Sequence, residues 1–288
     1  MEEAGCRKSV RLRRAAILGA GALGNLIADG IVHDLQESWQ LTGIMARSQA
    51  HAEKAAEEFG TKACTKLEDL LAPQPEVVIE AAGVAAAAMH GEKILSSGCS
   101  MILLSAGALA DENLANRWKE QCARTGSKIY VASGAVGGFD ILQALRFRQK
   151  QLARQGMDEK LSLVVDNFKA PASLNGAPGL AGRKLSETER EEVFKGTARE
   201  AIAGFPGNVN VAVALSLASA GLDETQVSIV SDPSMKENRH SCVAEGAGVR
   251  VTMDFASLPD PNNPRSSSLS AWSVLALLDS MASPVCFF

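Results

Sequence analysis

The sequence predicts an α/β fold: a doubly wound parallel sheet followed by a second, α+β unit. Three observations predict it. An apolar run ends in Gly19-x-Gly21-x-x-Gly24 and passes straight into a helical pattern. Short apolar strands then alternate with helices up to about residue 132. After about residue 140 the texture changes to half-alternating strands separated by Pro-, Gly- and Asn-rich turns.

Each element follows from local chemistry. The first strand ends at Leu18, and Gly19 permits a tight turn. Gly21 lacks a side chain, so backbone can approach a pyrophosphate. Gly24 lets the next helix pack close to the sheet, with the amides of Ala22, Leu23 and Gly24 aimed at phosphate. With a strand before it and a helix after it, this is a Rossmann-type dinucleotide fingerprint. A second strand covers 41–45, a helix 49–59 and a short strand 61–63. The β-branched strand 77–80 follows the breakers Pro73 and Pro75. Helix 84–97 stops at Gly98; strand 100–105, helix 111–125 and strand 128–132 complete the first unit. The second unit reads as helix 139–152, strand 161–166, a turn region 170–181 and a charged helix 186–203. After the break Pro206-Gly207-Asn208 come helix 209–220 and strands 225–231, 238–245 and 248–255, which predict a mainly antiparallel sheet. A linker at 259–264 leads to a final helix 266–283, apolar on one side and expected to pack back on the nucleotide-binding unit. The expected division is therefore 1–140 for dinucleotide binding and 141–265 for substrate.

The second strand ends in Ala46-Arg47-Ser48 where an NAD site usually carries Asp or Glu for the ribose 2′-hydroxyl. Arg47 and Ser48 are suited to hold a 2′-phosphate, which favours NADP over NAD. Ser48 also serves as N-cap of the following helix, and Arg47 as a solvated charge. In a doubly wound sheet, ligands bind outside the carboxyl ends of the strands, here 80–83, 105–107 and 132–138. Ala81, Ala82 and Ser105 are thus candidate cofactor contacts. The stretch Ser133-Gly134-Ala135-Val136-Gly137-Gly138 is suited to donate amides to a carboxylate or to act as a hinge. Asn208 reads as a helix cap or a ligand contact, and Asn210, inside the first turn, as the better ligand contact. His33, His51 and His90 fall on helices. His240 opens a strand after a polar turn and is the candidate acid/base.

Composition narrows the class. The chain has 288 residues, 46% of them hydrophobic, enough for a substantial core. A net charge of −4 without a basic stripe excludes nucleic-acid binding. The basic cluster Arg7, Lys8, Arg11, Arg13 and Arg14 lacks the apolar region of a secretory signal and reads as a solvated tail. No apolar stretch approaches a membrane span. The six cysteines show no CxxC or zinc-like spacing, so no metal site is expected, and they read as reduced thiols in the cytoplasm.

Several segments together resemble the L-aspartate dehydrogenase family: Glu80-Ala81-Ala82, Ser105-Ala106-Gly107-Ala108-Leu109, Ser133-Gly-Ala135-Val-Gly-Gly138, Lys169-Ala-Pro, Gly176-Ala177-Pro178, Phe205-Pro206-x-Asn208-x-Asn210, Asp232-Pro233 with Asn238-x-His240, and Asn263-Pro264-x-Ser-Ser. The likeness runs from about residue 15 to 282. It departs from the family pattern at Gly-Ala-Gly in the fingerprint and Lys-Ala-Pro at 169–171. The resemblance implies NAD(P)-dependent oxidation of L-aspartate to iminoaspartate, then oxaloacetate and ammonia, and the reverse reductive amination. It implies that His240 is the acid/base, that Ala135 and Asn210 contact the cofactor, and that relatives feed NAD biosynthesis. Ser133, Gly134, Asn208 and the loop residue Lys169 are the expected substrate contacts, and a homodimer through the second sheet is expected. The alternatives are a dehydrogenase of another small amino or imino acid and a non-catalytic NAD(P)H sensor.

Overall fold

Elements of the computed structural model are described for residues 12–258 and 267–286. The linker 259–264, the Asn263-Pro264 motif and Arg7, Lys8 and Arg11 of the basic cluster lie outside the described residues.

The first half runs β1 (Arg13–Leu18), α1 (Ala22–His33), β2 (Trp39–Met45), α2 (Gln49–Glu58), β3 (Ala63–Cys64), α3 (Leu67–Leu71), β4 (Val77–Glu80), α4 (Val84–Ser96), β5 (Ser100–Leu103), α5 (Glu112–Thr125) and β6 (Ile129–Val131). The strands form one parallel sheet in the order β3-β2-β1-β4-β5-β6. The order reverses beside β1, which opens a crevice above its carboxyl end. Helices cover both faces, so the central strands have no solvent side: Val77, Val78 and Ile79 are all fully buried.

The second half runs α6 (Phe139–Arg154), β7 (Ser162–Lys169), α7 (Pro171–Leu174), β8 (Glu191–Thr197), α8 (Ala198–Gly204), α9 (Asn210–Ala218), β9 (Thr225–Ser231), β10 (Asn238–Gly246), β11 (Val249–Ser257) and α10 (Leu269–Ala282). Its five-stranded sheet has the order β11-β10-β7-β9-β8. Only β7 and β9 run parallel; the other neighbours are antiparallel. One face is covered: Leu163, Val165 and Ile229 pack with Leu142, Phe205 and Val213 in one core.

The final helix lies against α1. A Cβ on Gly30 of α1 would stand 2.3 Å from Leu275 Cδ1, so the leucine side chain packs directly on the glycine and would have to shift for a larger residue. Trp39 Nε1 donates to the Leu278 carbonyl at 2.9 Å.

One expected element is corrected. The charged stretch 186–203 is not a continuous helix; it is β8 followed by α8. Its Glu, Lys and Arg residues favour a helix locally, but Val193 and Phe194 suit a strand, and pairing with β9 decides the outcome. A bulge between Glu192 and Phe194 fits the strand to its partner. Thr197 then starts α8 with a capping box: its hydroxyl accepts the Glu200 amide at 3.2 Å, and the Glu200 carboxylate accepts the Thr197 amide at 2.8 Å. The turn region 170–181 also holds more structure than expected, with α7 and a 3-10 turn at Pro178–Leu180.

Candidate functional site

The glycine turn is built as its chemistry requires. Gly19 sits at φ +120, and a Cβ there would lie 2.7 Å from the Ala81 carbonyl carbon. A Cβ on Gly24 would stand 1.8 Å from the Gly19 oxygen. Gly21 differs, because a Cβ there would meet nothing within 4 Å. Gly21 is the N-cap of the 12-residue α1 and offers no side-chain cap, so the first amides, from Ala22 to Gly24, have no side-chain acceptor at the cap. That empty cradle in front of a positive helix end suits a pyrophosphate. At the end of β2, Arg47 is exposed. Ser48 is the N-cap of α2, accepting the His51 amide at 3.2 Å, so its hydroxyl is already engaged.

Beside this turn a cavity of about 420 Å³ opens between the strand ends of the first sheet and the inner face of the second. Leu23, Ala81 and Ser105 line it from the nucleotide side; Ser133, Gly134 and Ala135 follow β6; Asn208 and Asn210 precede and begin α9. Lys169, Asn238 and His240 complete the far wall. Of the expected site residues, Gly19, Gly21, Ala22, Gly24, Arg47, Ser48 and Ala82 do not line this cavity. Gly19 to Gly24 instead make the adjoining turn, and Arg47 and Ser48 the end of β2.

A buried carboxylate shapes the nucleotide side. Glu80, fully buried at the end of β4, accepts the amides of Ala82 and Gly83, both at 2.8 Å, the Ser105 amide at 3.0 Å and the Ser105 hydroxyl at 3.1 Å. Burial pushes its pKa up and the four donors pull it down, with burial the larger effect. Ser105 and Ala82, expected as cofactor contacts, thus spend these polar groups on Glu80. The glycine nest is also partly occupied, because the Gly134 amide donates to Ser273 Oγ of α10 at 3.2 Å.

The far wall depends on strand alternation. Leu163, Val165, Asn167 and Lys169 of β7 point to the covered face. On β10, Asn238, His240 and Cys242 do the same. Lys169 is therefore not a solvated loop lysine: it ends β7 and is 4% exposed. Desolvation lowers its pKa to about 8, and among the described residues no carboxylate pairs with it. His240 is 3% exposed, and burial with the nearby Lys169 charge lowers its pKa to about 3, so the ring is neutral. His240 Nδ1 lies 2.8 Å from Asn167 Oδ1. Asn208 does not cap α9, whose N-cap is Val209; its side-chain amide donates to the Ser173 carbonyl at 2.9 Å. Asn210 accepts the Gly107 amide at 3.1 Å.

The sequence falls on known families in two segments. Residues 151–281 match the family model described as aspartate dehydrogenase, C-terminal, and residues 19–132 that of the homoserine dehydrogenase NAD-binding domain. The L-aspartate dehydrogenase of Methanocaldococcus jannaschii is 31% identical over 94% of this chain and 98% of its own length. L-aspartate dehydrogenase 2 of Bordetella pertussis is 35% identical over 92% of this chain and 95% of its own. The chain belongs to the L-aspartate dehydrogenase family. Its fold agrees with the crystal structure of aspartate dehydrogenase from Thermotoga maritima, at a TM-score of 0.71 and 22% identity, covering 96% of this chain and 99% of that one.

Membership in the L-aspartate dehydrogenase family makes this chain an oxidoreductase of the amino-acid dehydrogenase type with a nicotinamide cofactor, as the Rossmann half leads one to expect. The family likeness in sequence located Lys169, Asn238 and His240 but passed over Asn167 and the anchoring role of Glu80. Continuing the period-2 pattern of β7 past 166 would have found Asn167. Glu80 gave a weaker signal, a lone carboxylate closing an apolar strand. Among the described residues no group of three or more His, Cys, Asp or Glu is placed to hold a metal, and no helix is long and apolar enough to cross a membrane.

Proposed function

We propose that this chain oxidises L-aspartate to iminoaspartate with NADP, releases oxaloacetate and ammonia after hydration, and catalyses the reverse reductive amination. One observation carries the reading: a buried lysine with no carboxylate partner among the described residues stands beside a neutral, buried histidine in a cavity that opens on the dinucleotide turn. A buried cation of this kind is completed by an anionic ligand. L-aspartate brings two carboxylates, and the relatives named above carry that amino acid in their names.

The bound nicotinamide would supply the hydride acceptor. The chain's residues do the rest. Lys169 holds one carboxylate by a charge-assisted hydrogen bond, with Asn208 and the 133–134 backbone beside it. That contact orients Cα and offsets the Lys169 charge that disfavours protonation of His240. His240, neutral before substrate binds, takes a proton of the substrate ammonium, passes it to solvent, and then takes a proton from the water that adds to the imine carbon. Ala135 and Asn210 contact the cofactor from the far side of the crevice, while Arg47 meets the 2′-phosphate and makes NADP the preferred form. The second sheet joins two copies into a homodimer.

The test is the initial rate of reduced-cofactor absorbance loss with oxaloacetate and ammonia, run separately with NADPH and NADH. Rapid oxidation with NADPH ahead of NADH is expected. Binding of both cofactors without oxidation of either would overturn the assigned reaction.

A further inference from the structure

We propose that Asn167 is a positioning residue that fixes the tautomer of His240, placing the proton on Nδ1 and leaving Nε2 as the base that faces the cavity. The inference rests on the acid/base reading of His240 for its catalytic consequence, but the geometry that supports it does not need that reading.

The fixed point is a backbone carbonyl. Asn167 is fully buried on β7, and its side-chain Nδ2 donates to the Ser228 carbonyl of β9 at 3.1 Å. A carbonyl only accepts, so the amide cannot be turned round without setting two oxygens against each other in the core. The Asn167 oxygen is thereby committed to the opposite side, where it lies 2.8 Å from His240 Nδ1. An amide oxygen also only accepts, so Nδ1 must carry the hydrogen. A neutral imidazole has one N–H, and Nε2 is left with its lone pair. His240 borders the cavity whereas Asn167 does not, so this lone pair is the ring's working end.

The chain of donors crosses three adjacent strands. Asn167 pairs in register with His240 on one side and Ile229 on the other, so the relay is held by the sheet and not by a loop. Charge does not do this job in its place. Lys169 of β7 acts on the ring from the same covered face, but it cannot accept a hydrogen bond from Nδ1. On the neighbouring strands, Arg239 and Asp254 pair with each other on the outer face. A neutral amide at this position keeps His240 uncharged, where a carboxylate would favour the imidazolium.

The experiment is long-range ¹H–¹⁵N spectroscopy of the imidazole nitrogens in the ¹⁵N-labelled, substrate-free protein near neutral pH. His240 is expected to show a pyrrole-type Nδ1 and a pyridine-type Nε2; the opposite pattern in the wild-type protein overturns the proposal without any variant. In Asn167→Leu, which removes the acceptor, the pattern is expected to move towards Nε2–H. kcat should fall about tenfold, the equivalent of one buried hydrogen bond, with KM changed far less. Asn167→Asp keeps an acceptor for Nδ1, so it should retain the Nδ1–H form, recover part of kcat relative to Asn167→Leu and move the acidic limb of the pH profile upward, with a lower melting temperature because its second oxygen faces the Ser228 carbonyl. An unchanged tautomer and kcat in Asn167→Leu would sink the idea. If the tautomer is as stated but aspartate is not oxidised, the proposed reaction fails and the role of Asn167 stands.

Discussion

The side-chain oxygen of Asn210 accepts the Gly107 amide at 3.1 Å, joining the start of α9 to the loop after β5. This contact spans the two sheets at the cavity. Arg199 of α8 makes a second joint nearby, donating to Glu112 at 2.8 Å and to the Ala110 carbonyl at 3.3 Å. These polar links stand beside apolar packing, in which Ala106 after β5 joins the core of the second sheet. Asn210→Ala should weaken the first link by about 1 kcal/mol. The expected result is a raised KM for cofactor with a small loss of thermal stability, read by steady-state kinetics and differential scanning calorimetry.

The three fingerprint glycines should separate by function. Gly24→Ala forces a Cβ against backbone and should lower the melting temperature sharply. Gly21→Ala projects into open space, so it should fold with a near wild-type melting temperature and lose reduced-cofactor binding. Paired melting curves and fluorescence titrations with NADPH decide it; equal effects of the two changes in both assays would refute the division.

His240→Ala should lower turnover by roughly a hundredfold or more while keeping cofactor affinity, as expected for loss of a general acid/base. Near-normal turnover of that variant would show that another group moves the proton.

Lys169 sets a trade between stability and binding. Its pKa is about 8 when folded against an ordinary 10.5, so the unfolded chain takes up a proton first as pH falls. Stability contributed at this site is intact above pH 10.5, declines through the window down to about 8, and stays reduced by about 3 kcal/mol below it. Lys169→Met should therefore raise the melting temperature of the substrate-free protein at neutral pH and flatten its rise between pH 8 and 10.5. The same variant should lose at least about tenfold in kcat/KM for L-aspartate, the value of a hydrogen bond to a charged group. A variant both less stable and fully active would contradict the assignment.

Arg47→Glu should reverse the cofactor preference. A carboxylate there repels a 2′-phosphate and accepts from a ribose 2′-hydroxyl, so kcat/KM should fall with NADPH and hold or rise with NADH. The ratio of the two constants is the readout.

Much of this molecule was legible from local signals. The glycine turn and the parallel strands depend on steric rules and apolar runs that act within a few residues, and they stand where those rules put them. The charged stretch before Thr197 was misread because propensity speaks for a helix there, while the partner strand β9 lies some thirty residues later. Glu80 was opaque for a similar reason: two of its four donors come from Ser105, which is remote in sequence. Asn167 lay just past the expected end of its strand, so the alternation that turns it inward stopped one residue too soon.

The position of α10 bears on how the chain matures. The helix that seals Gly30 of α1 and holds Trp39 belongs to residues 269–282, separated from the first sheet by the whole second sheet. The nucleotide-binding half is made before this helix, so its hydrophobic layer stays open until residues 269–282 have emerged from the ribosome. Closure of the nucleotide-binding core thus waits for synthesis of the second sheet, and a nascent chain halted before residue 269 carries the fingerprint without the helix that closes its core.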